Sequence, residues 1–222
     1  MFRRIAPLFL SALAALAFFA AAAHADPLTV TSYDMPNGDG QAAKGTYNYW
    51  DATYDGVGHR HRDGSFLSGG TGALTDGVIA TQPWDAVSNS QGTGEYVGWK
   101  DISPTITFHF GSTVTIDSIT LYVDDSNVGG VTAPDAVIVN GTSHDNSNYA
   151  NFFPGPEAIK LNGLDIVGNS VTITLKNQPG PWVFLSEVTF DGFVTSVPEP
   201  GNMAMLLAGL GLMGWMARRR RV

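Results

Sequence analysis

Between Thr105 and Val123 the chain alternates apolar and polar side chains, and the phase of that alternation changes once. In Thr105-Ile106-Thr107-Phe108-His109-Phe110-Gly111, the two-residue period of a strand puts Ile106, Phe108 and Phe110 on one face. Val114 and Ile116 begin a second alternation, and Ile119, Leu121 and Val123 continue it in the opposite phase. A bulge or strand break is therefore expected at Asp117-Ser118. Ala136 to Val139 reads as a buried strand ending at the turn pair Asn140-Gly141. Val171 to Leu175 alternates again, and Trp182 to Phe190 supplies a closing strand. Leu28 to Leu74 is turn-rich, with Tyr47, Tyr49, Trp50 and Tyr54 among small polar residues, and is expected to wrap the sheets as loops and short strands. No helical periodicity of useful length and no internal repeat lies between the ends. The expectation is an all-β fold, an antiparallel two-sheet β-sandwich over residues 26–194.

The two ends differ from this middle. Met1-Phe2-Arg3-Arg4 is followed by the apolar stretch Ile5 to Ala23 and the small-x-small site Ala23-His24-Ala25, so residues 1–25 read as a removed signal helix. An N-terminal membrane anchor is the alternative. At the other end, a linker over 195–202 carries Pro198-Glu199-Pro200, the apolar run Met203 to Ala217 follows, and Arg218, Arg219, Arg220 and Arg221 come last. The two prolines keep the approach extended. The run reads as one short transmembrane helix, since its span of about 22 Å falls short of a hydrocarbon core of about 30 Å. The arginines oppose translocation and leave the preceding domain outside the cytoplasm. This order of parts over 197–222 resembles the PEP-CTERM sorting signal. The resemblance implies export through the Sec translocon, transient anchorage in the inner membrane with the domain in the periplasm, processing by an exosortase near Pro198-Glu199-Pro200, and delivery to the cell surface or the medium. Members of that family tend to occur where exopolysaccharide and biofilm are made.

Between the ends the domain holds six basic and nineteen acidic side chains, a formal charge of −13 with histidine neutral. Such a field disfavours nucleic acid and anionic lipid as partners and is compatible with calcium. The chain has no cysteine, so stability rests on the core, and no thiol nucleophile or thiolate metal site exists.

Leu74-Thr75-Asp76-Gly77, Tyr96-Val97-Gly98-Trp99, Ile106 to Gly111 and Leu185-Ser186-Glu187-Val188 follow one another as do the landmarks of discoidin-like (F5/8 type C, galactose-binding-like) domains. The middle of the chain, roughly Ala73 to Gly192, resembles that jelly-roll family. The resemblance implies one structural calcium held by Asp76, Thr81 and Glu187. Calcium takes hard oxygen ligands, and loop carbonyls around Gly77 would complete the shell. The competing reading makes Asp76 a turn cap and Glu187 a surface carboxylate.

Other polar clusters invite chemistry less. Asp124-Asp125-Ser126-Asn127 lacks the glutamate of an EF-hand, since the twelfth position from Asp125 is Ala136, and reads as an acidic solvated turn, as does Asn37-Gly38-Asp39-Gly40. His59-Arg60-His61-Arg62-Asp63 places two imidazoles where a strand would set them on one face, but without a third ligand it reads as a solvated loop. Ser143-His144-Asp145 cannot form a triad, because neighbours on a strand point apart. Carbohydrate binding uses the remaining residues best, for sugar C–H faces pack on aromatic rings. Tyr47, Tyr49, Trp50, Tyr54 and Trp84 are the candidates, whereas Trp99 and Trp182 adjoin strands and read as core. The leading function is a non-catalytic surface or matrix protein that binds polysaccharide. The alternatives are a structural surface protein with no specific ligand and a glycan hydrolase, which would need two carboxylates facing one cleft at about 5–10 Å.

Overall fold

The computed structural model describes residues 25–145, 155–177, 180–195 and 200–219. The expected signal peptide up to residue 24, Pro198, Glu199, Arg220 and Arg221 lie outside the described residues. The strands are β1 (Asp26–Pro27), β2 (Val30–Pro36), β3 (Phe66–Gly70), β4 (Val97–Lys100), β5 (Thr105–Asp124), β6 (Ala136–Val139), β7 (Thr142–Asp145), β8 (Pro156–Lys176) and β9 (Trp182–Val194). The helices are α1 (Ala42–Gly45), α2 (Trp84–Val87) and α3 (Pro200–Arg219), with a 3-10 turn at Val128–Gly130.

All strand pairs are antiparallel, and the long strands β5, β8 and β9 tie the two layers of the sandwich together. The first part of β5, Thr105 to His109, pairs with β2 and with the end of β8 in a layer ordered β3-β2-β5-β8-β6-β7. Its second part, Val114 to Asp124, lies between the start of β8 and β9, and β9 is edged by β1 and β4. The expected change of phase is real. Ile106, Phe108 and Phe110 are buried, as are Val114, Ile116, Ile119, Leu121 and Val123, and the register shifts between Ile116 and Ser118 against both β8 and β9. What alternation alone divides into two strands is one strand bent by its bulge.

Phe108 and Phe110 meet Phe190 across the layers, ring centroids 5.1 Å and 5.3 Å apart. Trp99 is fully buried, and its indole N–H donates to the Pro36 carbonyl at 2.8 Å. Each large side chain so buried contributes about 2–3 kcal/mol through loss of apolar surface to water. At the β6–β7 hairpin, Asn140 (φ 46°) and Gly141 (φ 85°) both take the left-handed conformations of a two-residue turn.

Two expectations need correction, and one stretch of strand goes unread in the sequence. The polar stretches read as solvated turns are buried: Asn37 and Asp124 are fully inaccessible and Asp125 nearly so. They are buried because their side chains satisfy backbone N–H groups, as Asp124 does for Trp84 and Ser126 at 2.6 Å and 2.7 Å. The first half of β8, which sequence reading leaves unassigned, is a strand whose alternation changes phase once, at Asn162-Gly163, where Gly163 takes positive φ and the register against β5 shifts. At the C-terminus α3 forms over 20 residues, but no helix among the described residues is long and apolar enough to cross a membrane. Pro200, Gly201, Asn202 and the closing arginines dilute its apolar run.

Candidate functional site

The start of β9 is buried on both faces. Val183 and Leu185 enter the main core, while Trp182 and Phe184 point the other way into a second apolar cluster with Tyr49, Tyr96, Ala80 and Val131. Trp84 reaches this cluster from α2. Its backbone N–H is held by Asp124, and its indole N–H donates to the Val128 carbonyl at 2.9 Å. Tyr49 arrives from the loop after α1, locked by N–H donation to the Asp39 carbonyl and by its own carbonyl accepting from Gly98.

Together these residues wall a cleft of about 180 Å³ lined by Ala42, Tyr49, Trp84, Gly129, Val131, Trp182 and Phe184. That is below the ~300 Å³ of sites for drug-sized ligands and on the scale of a single sugar ring. Tyr49 and Phe184 form the buried floor, 4.6 Å apart. Trp84 and Trp182 are half-buried on the rim, and Trp84 stands edge-on to Tyr47 and Tyr49 at 87°. The Lys100 ammonium lies 6.0 Å from the Trp182 ring, the cation nearest the rim rings among the described residues. Burial, then Tyr47 and the charge of Asp85, holds the Tyr49 phenol well above its usual range, so it stays a neutral donor.

Of the five aromatic residues expected to meet a ligand, Tyr47, Tyr49 and Trp84 gather here. Trp50 lies apart, its indole N–H donating to Asp63 at 2.7 Å. Tyr54 is a core residue: its hydroxyl donates to the Tyr33 carbonyl at 2.5 Å and accepts from the Gly70 N–H, and it has no exposed surface to offer a ligand. Trp182, expected in the core, instead lines the cleft. The two-residue spacing of Trp182 and Phe184 already placed them on one face, but nothing local says that a second apolar cluster lies outside the main core.

Beside the cleft, residues 74–80 lie across β9. Val188 N–H donates to the Leu74 carbonyl, Gly77 N–H to Glu187 Oε2 at 3.1 Å, and Ala80 N–H to Ser186 Oγ. Glu187 is therefore covered by the loop that carries Asp76, on the face of β9 opposite Val188 and Phe190. Desolvation, opposed by the Gly77 N–H and aided by the charge of Asp76, pushes its carboxyl up to about 7. Asp76 accepts the Val78 N–H at 2.8 Å in a turn, and Thr81 is exposed further along. Among the described residues no three of His, Asp and Glu converge as a metal cluster. A hard cation beside Asp76 and Glu187 would need carbonyl and hydroxyl oxygens to complete its shell, and of the two carboxylates only Glu187 is buried, where desolvation disfavours its charge.

Fold and loops together define a discoidin-like sandwich. The family model described as the DS-like domain of discoidin domain-containing receptor 1/2 matches residues 29–192, and the chain belongs to that family. The match begins well ahead of Ala73, so the aromatic loops lie within the domain. The PEP-CTERM protein-sorting motif matches residues 196–221. No curated protein matches the chain in sequence. Among solved structures it is similar to the family 32 CBM of Clostridium perfringens NanJ in complex with galactose, with 11% identity over 43% of this chain and 75% of that one and a TM-score of 0.31. It is also similar to the C-terminal domain of a chitobiase from Bacteroides fragilis, with 15% identity over 77% of this chain and 100% of that one and a TM-score of 0.42. Against truncated AlyQ, which holds CBM32 and alginate lyase domains, identity is 10% over 80% of this chain and TM-score 0.40, and the match spans only 36% of that chain.

Proposed function

We propose that this is an exported surface or matrix protein, secreted through the Sec translocon and processed at its tail by an exosortase, whose sandwich binds carbohydrate without reacting with it. Partly exposed Trp84 and Trp182 over a buried aromatic floor carry the binding reading. Aromatic faces at a rim take up the apolar face of a sugar ring, while a cluster sealed under loops would favour a purely structural role. The ligand class we favour is an exopolysaccharide. Affinity electrophoresis of the full-length chain in mild non-ionic detergent, through gels cast with neutral or acidic polysaccharides, tests this. Retention is expected, and Trp84→Ala should weaken it about tenfold or more, the loss typical of a central aromatic contact. No retention on any polysaccharide would sink the reading.

As part of the same proposal, Asp76, Glu187 and Thr81 with neighbouring carbonyls hold one structural calcium that stiffens the loop beside the cleft. At a hundredfold excess over its dissociation constant, calcium should add about 2.7 kcal/mol to unfolding free energy. Thermal melts with calcium or chelator read this directly, and Glu187→Gln should abolish the difference. Identical melts of the unaltered chain in both buffers would dismiss the ion.

A further inference from the structure

We propose that the loop Gly58–Arg62 is a second subsite, which takes the anionic groups, carboxylate or sulfate, of a charged polysaccharide. The proposal rests on the carbohydrate reading of the cleft and adds a ligand class to it. In a domain of charge −13, Arg60 and Arg62 are two of only six basic side chains, and they stand between and beside His59 and His61. Gly58, His59, Arg60, His61 and Arg62 line a cavity of about 290 Å³.

The loop is held from below. Fully buried Asn37 donates from its side-chain amide to the carbonyls of His59, Arg60 and Arg62 at 3.3, 3.0 and 3.3 Å, and its amide oxygen accepts the N–H groups of Gly38 and Asp51. With three carbonyls turned inward, residues 59–62 are all exposed. Arg60 donates one N–H to the Tyr54 carbonyl at 3.2 Å, which orients its planar fork. The acidic neighbour is engaged elsewhere: Asp63 Oδ1 accepts from Trp50 Nε1 and from Gly40 N at 2.7 and 2.8 Å. The Trp50 ring stands at 90° to His61, 5.7 Å away, and offers a flank beside the charges.

Guanidinium forks match carboxylate and sulfate bidentately. The acidic remainder of the domain is screened beyond about 8–10 Å, so a narrow polyanion can reach the loop alone. A flat anionic membrane would bring its charge against that remainder as well, so the polysaccharide is favoured.

The test titrates fluorescent oligogalacturonate, dextran sulfate fragments and neutral dextran into the full-length chain in non-ionic detergent. One or both anionic probes should bind, more weakly as salt rises, and Arg62→Glu should weaken that binding about tenfold or more, the worth of a charge-assisted hydrogen bond. Thermal melts check that the variant is folded, and retention on neutral glycan through Trp84 should be unchanged. Wild-type binding to neutral glycan alone would overturn the subsite and leave the cleft reading intact. Loss of all binding in Trp84→Ala would place the anion in the cleft and overturn it too. Glycerol phosphate competing better than trigalacturonate would reassign the loop to lipid headgroups, and binding of no probe at all would remove both readings.

Discussion

Two buried carboxylates show how single residues set the stability of this domain. Asp51, fully buried, accepts the Tyr33 hydroxyl, the Ala73 N–H at 3.1 Å and the Thr53 hydroxyl at 3.1 Å. Asp51→Ala would strand those donors without water and should cost about 2–4 kcal/mol in denaturant unfolding, whereas Asp51→Asn keeps an acceptor and should cost less than half as much. Glu187 is the pH-sensitive case. Its carboxyl rises from 4.5 to about 7 on folding, chiefly through desolvation, so the folded chain binds the proton more tightly than the unfolded one. Without calcium, stability from this group is therefore highest below pH 4.5, falls as pH rises and levels off above 7. The loss is on the order of 3 kcal/mol or less. Urea unfolding across that range should show this slope in the unaltered chain and lose it in Glu187→Gln; a slope that survives the substitution would assign it to other groups.

At the scale of elements, what could be read in advance was whatever alternates. The kink at Asp117-Ser118, the faces of β5 and the turn at Asn140-Gly141 follow from side-chain period and turn chemistry, and each is where those residues put it. The first half of β8 escaped because Ile159 is its one fully buried apolar residue, while Leu161, Leu164 and Ile166 only lean on the core. Asn37 and Asp124 read as exposed for a different reason: a buried polar knot and a solvated turn use the same residue types, and only tertiary partners distinguish them. The cleft was half legible for the same cause, its loop aromatics visible and its strand aromatics assigned inward. Strand β4 shows how tightly element and cleft are joined. Gly98 pairs with Phe184, and a Cβ at Gly98 would sit 2.2 Å from the Phe184 ring. That ring is buried against Tyr49 and cannot swing away. Gly98→Ala should cost about 1–3 kcal/mol by overpacking and reduce polysaccharide retention together, because the displaced ring is the floor of the cleft.

The molecule as a whole joins an acidic sandwich to a helix of opposite character. Along α3, Met205, Leu206, Leu207, Leu210, Leu212, Met213, Trp215 and Met216 are each more than half exposed, so the apolar surface runs around the helix instead of forming one stripe. A helix apolar on every side is stable only where its surroundings are apolar, and the sandwich supplies none of that cover. The charge of the domain and the four terminal arginines pull in opposite senses as well, one toward solvent and one toward an anionic surface. The tail processing proposed above would resolve the conflict by separating the two parts. The expected outcome is that, in detergent phase partition of cells, the precursor enters the detergent phase while the released product enters the aqueous phase with a mass that ends near Pro198. Deleting the exosortase should leave the precursor alone, and so should replacing Pro198-Glu199-Pro200 with alanines. An aqueous product that still carries Arg218 to Arg221 would show that the domain leaves the membrane without cleavage, and would remove the processing step from the proposed function.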